Sequence, residues 1–258
     1  MKNLLFAAAL IAALIPMASA QDTKSQPASL GEKILVRGTA PVMSRDWQPE
    51  QAPKAPKYCS PCYFYAGDFD SSNSNANGLA NEEDQLVSDA HIYSPFTVAA
   101  AGASVTGLFV NSLDAVGAID ASTPWSISTG FKSGKEGKTI HHGKAKSTDK
   151  PTGRSGFGLT EYTHLVKFAA ISLAKGTYFE NVTPVCMKNS SCGSARYFES
   201  DEEDTPPKNH VGAKDKLDDS FWTSTYFGVT ADPTWGSSGG CSGIGCDMFS
   251  AGVLGKAK

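Results

Sequence analysis

Beyond its first twenty residues, this sequence holds no apolar run of the roughly 20 residues that a helix needs to cross a bilayer. No membrane span is therefore expected there. Nor does any window there longer than about ten residues repeat apolar side chains at the 3.6-residue period, which argues against a helical bundle. Charge of one sign is also lacking: 23 Lys and Arg stand against 26 Asp and Glu, a net of −3. A nucleic-acid binder wants a clustered positive field, so nucleic acid is not an expected partner. The five histidines form no HExxH pair.

What the sequence does have begins at the N-terminus. Lys2, the apolar run 4–15, Pro16 and Ala18-Ser19-Ala20 are the parts of a secretory signal peptide. Cleavage after Ala20 is expected, giving a periplasmic or extracellular chain from Gln21. The alternative, a membrane anchor, needs a longer run. No cysteine follows the cleavage site for lipid attachment, and the tail GVLGKAK does not resemble a sorting signal. Residues 21–57 read as an extended linker stiffened by QPEQAPKAPK. Residues 58–258 are expected to form one domain.

Six cysteines suit an oxidising compartment. They fall into three close pairs: Cys59 and Cys62, Cys186 and Cys192, Cys241 and Cys246. Local pairing is the simplest expectation, although six cysteines allow about 15 connectivities. Cys59-Ser60-Pro61-Cys62 admits two other readings. A redox CxxC needs a βαβ context, and the Pro-rich flank does not provide one. A zinc site needs a second CxxC or a His pair at matching spacing.

The expected elements are strands, at 63–66, 92–98, 104–110, 125–128, 163–169, 177–184, 194–198, 221–226 and 248–253. They are rich in β-branched and aromatic residues, with Gly, Asn, Ser and Asp between them. In 104–110, alternation puts Val105, Gly107 and Phe109 on one face and Thr106, Leu108 and Val110 on the other. Many short strands and 25 glycines point to an all-β, antiparallel two-sheet sandwich. Two charged stretches, basic 132–150 and acidic 199–219, read as solvated loops. They would form only weak ion pairs if they lay side by side.

The stretch NSNANGLANEED, residues 73–84, places oxygen-bearing side chains in EF-hand-like order. Its first ligands are uncharged Asn, and no helix pattern precedes it, so a true EF-hand is not expected. The simplest reading is an Asn/Gly turn. The functional alternative is a looser structural calcium site drawn from Asp68, Asp70, Asn73, Asn75, Asn77, Glu82 and Asp84.

The same region carries a resemblance. YAGDFDSSNSNANGLANEEDQLVSDAHIYSPFTV, VTGLFVNSL, TGRSGFGLTEYTHLV, GTYFENVTPV, FWTSTYFGVT and CDMFSAGVLG together resemble the choice-of-anchor family of exported bacterial β-sandwich proteins. The resemblance covers roughly residues 63–255. It implies a jelly-roll-like sandwich outside the cytoplasm and no catalytic residues. The family's C-terminal anchor has no counterpart in GVLGKAK.

Catalytic motifs are weak. Gly236-Ser237-Ser238-Gly239-Gly240 matches G-x-S-x-G, but CSGIGCDMF rather than a helix pattern follows it. His141 and His142 would point to opposite faces of a strand. His164 reads as a strand surface residue. Asp114, Asp120, Glu161 and Glu180 supply acids, but no pair stands out for glycoside chemistry. Among the aromatics Trp125, Trp222, Tyr226, Phe227 and Trp235, core packing is the ordinary role. Trp222, Tyr226 and Trp235 are the candidates for stacking on a sugar. The expected function is a non-catalytic structural or adhesive role, with a cell-envelope glycan or surface protein as partner. The alternative is a carbohydrate-binding module or remote glycoside-active enzyme.

Overall fold

The computed structural model describes residues 59–69, 78–114, 119–188, 196–202, 211–212, 220–234 and 248–258. The expected signal peptide and linker lie outside them. The described residues form strands and no helix. In chain order these are β1 (Cys62–Tyr65), β2 (Gly78–Ala80), β3 (Glu83–Asp84), β4 (His91–Val98), β5 (Ala103–Asp114), β6 (Thr123–Thr129), β7 (Lys138–Ala145) and β8 (Ser147–Gly156). There follow β9 (Leu159–Leu173), β10 (Gly176–Val182), β11 (Val185–Cys186), β12 (Tyr197–Glu202), β13 (Phe221–Ser224), β14 (Val229–Pro233), β15 (Met248–Phe249) and β16 (Ala251–Ala257).

Two antiparallel sheets dominate. One runs in the order β14-β13-β4-β10-β6-β7. The other is built on the long strand β5. Along one flank β5 pairs with β9, which pairs in turn with β8. Along the other flank it pairs first with β16 and then with β12. β1 continues beyond β16, and β2 beyond β12. A small parallel pair, β3 with β11, lies apart.

The sandwich follows from where the apolar side chains meet. One core cluster takes Phe64, Val105, Leu108, Val110, Val166 and Val253 from the β5 sheet. It takes Phe96, Val98, Trp125, Ile127, Tyr178 and Val182 from the other. The area these residues remove from water is the main driving force for closing the two layers.

The alternation expected in β5 fails at a bulge. Against β16, the two steps from Val105 to Gly107 face the single step from Gly255 to Leu254. The extra residue changes the parity, so Val105 shares the core with Leu108 and Val110, while Phe109 packs with Tyr65, Leu165 and Leu254. Gly107 is required there, because a Cβ would lie 2.6 Å from the Val166 carbonyl oxygen.

The basic stretch 132–150 is not a loop. It contains β7 and the start of β8, the outer strands of the two sheets, joined through Lys146 alone. Just before it, Phe131 is buried against Phe179 and Phe221 at ring distances of 5.2 and 5.4 Å. The acidic stretch also departs from expectation, since Glu199 and Ser200 are fully buried in β12. β8 and β9 close through Phe157 (φ 55°) and Gly158 (φ 80°). Positive φ at both central residues marks a tight hairpin whose twist matches its strands.

Candidate functional site

Hairpin β8–β9 carries charged side chains on both faces. On one, the His164 ring is fully buried. Its Nδ1 lies 3.0 Å from an Asp149 oxygen and its Nε2 3.0 Å from an Asp114 oxygen. Burial alone would pull the His164 pKa down. The two facing carboxylates outweigh it and push the imidazole up to about 9. Burial pushes Asp114 up to about 6, with His164 pulling back against it. The expectation of a surface His164 is thus corrected: β9 belongs inside the sheet, where Asp114 and Asp149 complement the ring. The Ser147 hydroxyl donates to Asp149 at 2.5 Å. Because it meets the carboxylate and not the imidazole, His164 is not placed to activate it as a nucleophile.

On the other face, Arg154 bridges Asp68 at 2.7 Å and Glu161 at 2.5 Å. Glu161 also accepts from Thr152 at 2.6 Å and Ser200 at 2.6 Å. The Tyr65 hydroxyl donates to Asp68 at 2.5 Å. A branch continues through Asn111, whose amide donates to Ser250 and whose carbonyl accepts from Thr163. These bonds fasten the hairpin to β5, β12 and the segment that follows β1.

A second buried ion pair joins Arg196 to Glu82 at 2.5 Å, and the Tyr197 N–H donates to the same carboxylate at 2.8 Å. Burial pushes Glu82 up to about 8, and Arg196 pulls back only in part. Its two oxygens nevertheless accept from Arg196 Nε and Nη2 and from the Tyr197 N–H. Such a set of donors is complete only on a carboxylate, so the pair is ionic.

Between the sheets sit two more acids. Glu199 on β12 accepts from Asn81 at 2.5 Å and from Ser94 at 3.3 Å. Glu180 on β10 is equally buried, and neither of its oxygens has a hydrogen-bond partner. The Gly252 amide nearby pulls its pKa down against burial, without meeting the distance and angle of a hydrogen bond. Burial, and for Glu180 the Glu199 charge, push both carboxyls well above the ordinary range. Of the four acids considered for chemistry, Asp114, Glu161 and Glu180 are thus buried in three different settings. Asp120 accepts from the Met187 and Lys188 amides. No sequence motif marked the Arg154 and Arg196 networks. The available signal was the proximity of an arginine to Glu161 along a hairpin.

Of the calcium candidates, Asp70, Asn73, Asn75 and Asn77 lie outside the described residues. Asp68 and Glu82 are held by Arg154 and Arg196. Asp84 accepts from the Leu86 and Val87 amides at 2.7 Å, forming a turn. Among the described residues, no group of three or more His, Cys, Asp or Glu side chains is arranged to hold a metal ion. Cys59 and Cys62 form a disulfide. Cys186 is also disulfide-bonded; Cys192, Cys241 and Cys246 lie outside the described residues.

Of the stacking candidates, Trp222 is corrected. It is fully buried, and its indole N–H donates to the Ala80 carbonyl at 2.9 Å. β13 is an interior strand, so a ring there packs rather than projects. Tyr226, in the β13–β14 turn, is 54% exposed. Asp89 caps that turn, accepting from the Thr225 and Tyr226 amides at 2.8 and 2.9 Å. Phe227 meets the Tyr226 ring edge-on at 4.9 Å. Trp235 and the G-x-S-x-G stretch lie outside the described residues.

The other surface feature is the outer edge formed by β7 and β8. Lys138, Lys144, Lys146 and Lys150 are exposed there, and Lys167 is exposed on β9. The ion pairs of the described residues use only Arg and His as cations. Comparison with protein-family models, curated proteins and solved structures gave no match.

Proposed function

We propose that this is a non-catalytic β-sandwich with a structural or adhesive role outside the cytoplasm, similar in kind to the jelly-roll-like choice-of-anchor proteins. The observation that carries the reading is a division of labour among the polar side chains. The groups with acid–base potential, His164, Glu161 and Glu82, are buried, and each is held by charged partners: His164 by Asp114 and Asp149, Glu161 by Arg154 and Glu82 by Arg196. Such networks rigidify a scaffold. The outward-facing groups are of binding type: unpaired lysines on one edge and the Tyr226 ring on a capped turn. Rigid sheets that display loops and edges suit recognition by a preformed surface.

The second reading is a carbohydrate-binding module, and Tyr226 favours it. An exposed ring held by a neighbouring ring and a capped turn presents a flat apolar face at little entropic cost. A screen of the purified protein against glycans and cell-envelope fractions tests both readings. Retention without turnover is expected. Loss of neutral-glycan binding in Tyr226→Ala would favour the module. Release of reducing ends from a bound glycan would overturn the non-catalytic reading.

A further inference from the structure

We propose that the β7–β8 edge is a docking strip for a linear anionic glycan, one with carboxylate or phosphate groups along its length. The proposal rests on the surface-binding reading above and names its ligand class. β7 ends one sheet and β8 ends the other, and only Lys146 separates them. The strip therefore runs without a break around the corner of the sandwich. Lys138 and Lys144 lie on β7, Lys146 is the corner residue, Lys150 lies on β8 and Lys167 on the adjacent β9.

Charge is concentrated here against the trend of the chain. Residues 132–150 carry six lysines against Glu136 and Asp149, a net of +4 in a chain of net −3. Both acids are engaged: Glu136 accepts from Thr223 at 2.7 Å, and Asp149 faces His164. No ion pair of the described residues uses a lysine, so these charges are available to an outside anion. Exposed Thr139, His142 and Thr148 lie among them, and an outer strand offers free backbone N–H and C=O groups. Point charges interleaved with hydroxyl and amide groups fit a charged polyol. The strip's one arginine, Arg154, is turned onto Asp68 and Glu161. The strip therefore has neither a free guanidinium fork nor the aromatic platform that single-stranded nucleic acid uses.

Lysines on outer strands also deter pairing between copies, and the experiment separates that role. Binding of the purified protein is measured against polygalacturonate, a glycerol-phosphate polymer, neutral dextran and single-stranded DNA, at low and moderate salt. The variant K144Q/K146Q/K150Q is compared with K175Q/K256Q/K258Q, which removes three exposed lysines elsewhere. The expected result is a loss of about tenfold or more, with a shallower salt dependence, for the edge variant on the anionic polymers. The control variant should bind as wild type. The two anionic probes distinguish carboxylate from phosphate as the recognised group.

Equal losses in both variants, or none in the edge variant, would overturn the proposal. So would increased self-association of the edge variant with unchanged binding, or wild-type binding to DNA as tight as to either anionic glycan. Binding to neutral glycan alone would remove this strip and leave the surface-binding reading in place. Binding to no probe and no envelope fraction would remove both.

Discussion

Glu161 and Glu180 are both fully buried acids, yet their surroundings differ completely. Glu161, beneath hairpin β8–β9, accepts from Arg154, Thr152 and Ser200. Glu180, in the middle of the sandwich, has no hydrogen bond to either oxygen and shares its space with Glu199. The difference lies in the strands. β8 is an outer strand, so Arg154 can place its guanidinium inside and remain 17% exposed along its side chain. β10 lies between β4 and β6, and no cation can reach Glu180 without crossing the core. An outer strand lets charge be buried with its partner. Glu161 on β9 has an outer strand beside it, whereas Glu180 on β10 has none and is buried as a neutral acid.

The largest effect that would break this contrast is at Arg154. Arg154→Ala should destabilise by about 3–5 kcal/mol, because Asp68 and Glu161 then stay buried without a counter-charge. Urea unfolding measures it, and a loss no larger than that of an ordinary surface substitution would mean the network is not ionic.

His164 should show itself in pH dependence. Its pKa is about 9 folded against an ordinary 6.5. A raised histidine gives stability that is complete below pH 6.5 and is lost as pH rises toward 9. The shift corresponds to about 3 kcal/mol. Unfolding measured across that window should fall steadily for the wild type and stay flatter for His164→Gln. Parallel curves would show that the two carboxylates do not hold the imidazolium.

Glu180 should respond in the opposite sense to Arg154. Glu180→Met removes an unpartnered buried acid and fills the same space. It should raise stability at neutral pH by about 1–4 kcal/mol. Destabilisation measured by thermal melting would mean the acid has a partner. Smallest of all is calcium: with Asp68 and Glu82 held by arginines and Asp84 capping a turn, melting midpoints in calcium and in chelator should coincide. A higher midpoint in calcium would restore the ligand set that includes the Asn73–Asn77 run.

The apolar strands were legible because their side chains meet apolar partners. β4, β6, β9 and β10 contain the runs that alternation and β-propensity pick out, although several extend further than expected. β7 and β8 were not legible. An outer strand exposes most of its side chains, so KTIHHGKA has no apolar face to reveal it. Glu199 was misread for the converse reason: its charge suggested solvent, and the pairing of β12 with β5 and β2 carried it inside. The parity of β5 turned on a bulge against β16 that no composition rule announces.

The candidate surface was legible only in its ingredients. The lysines were counted as a basic loop, and their alignment required both sheets to end at the same corner. Tyr226 was singled out beside Trp222, and nothing in their chemistry separated them. One sits in a capped turn and the other in an interior strand.

By itself, then, the order of residues determined that the chain would form strands around an apolar interior, because β-branched and aromatic side chains bury best on pleated surfaces. It also supplied one basic stretch in an acidic chain. Which charges went inside, which found partners and which stayed in water was decided by tertiary structure. That outcome depends on whether a strand ends a sheet or lies within it, and strand order is set by contacts far apart in sequence.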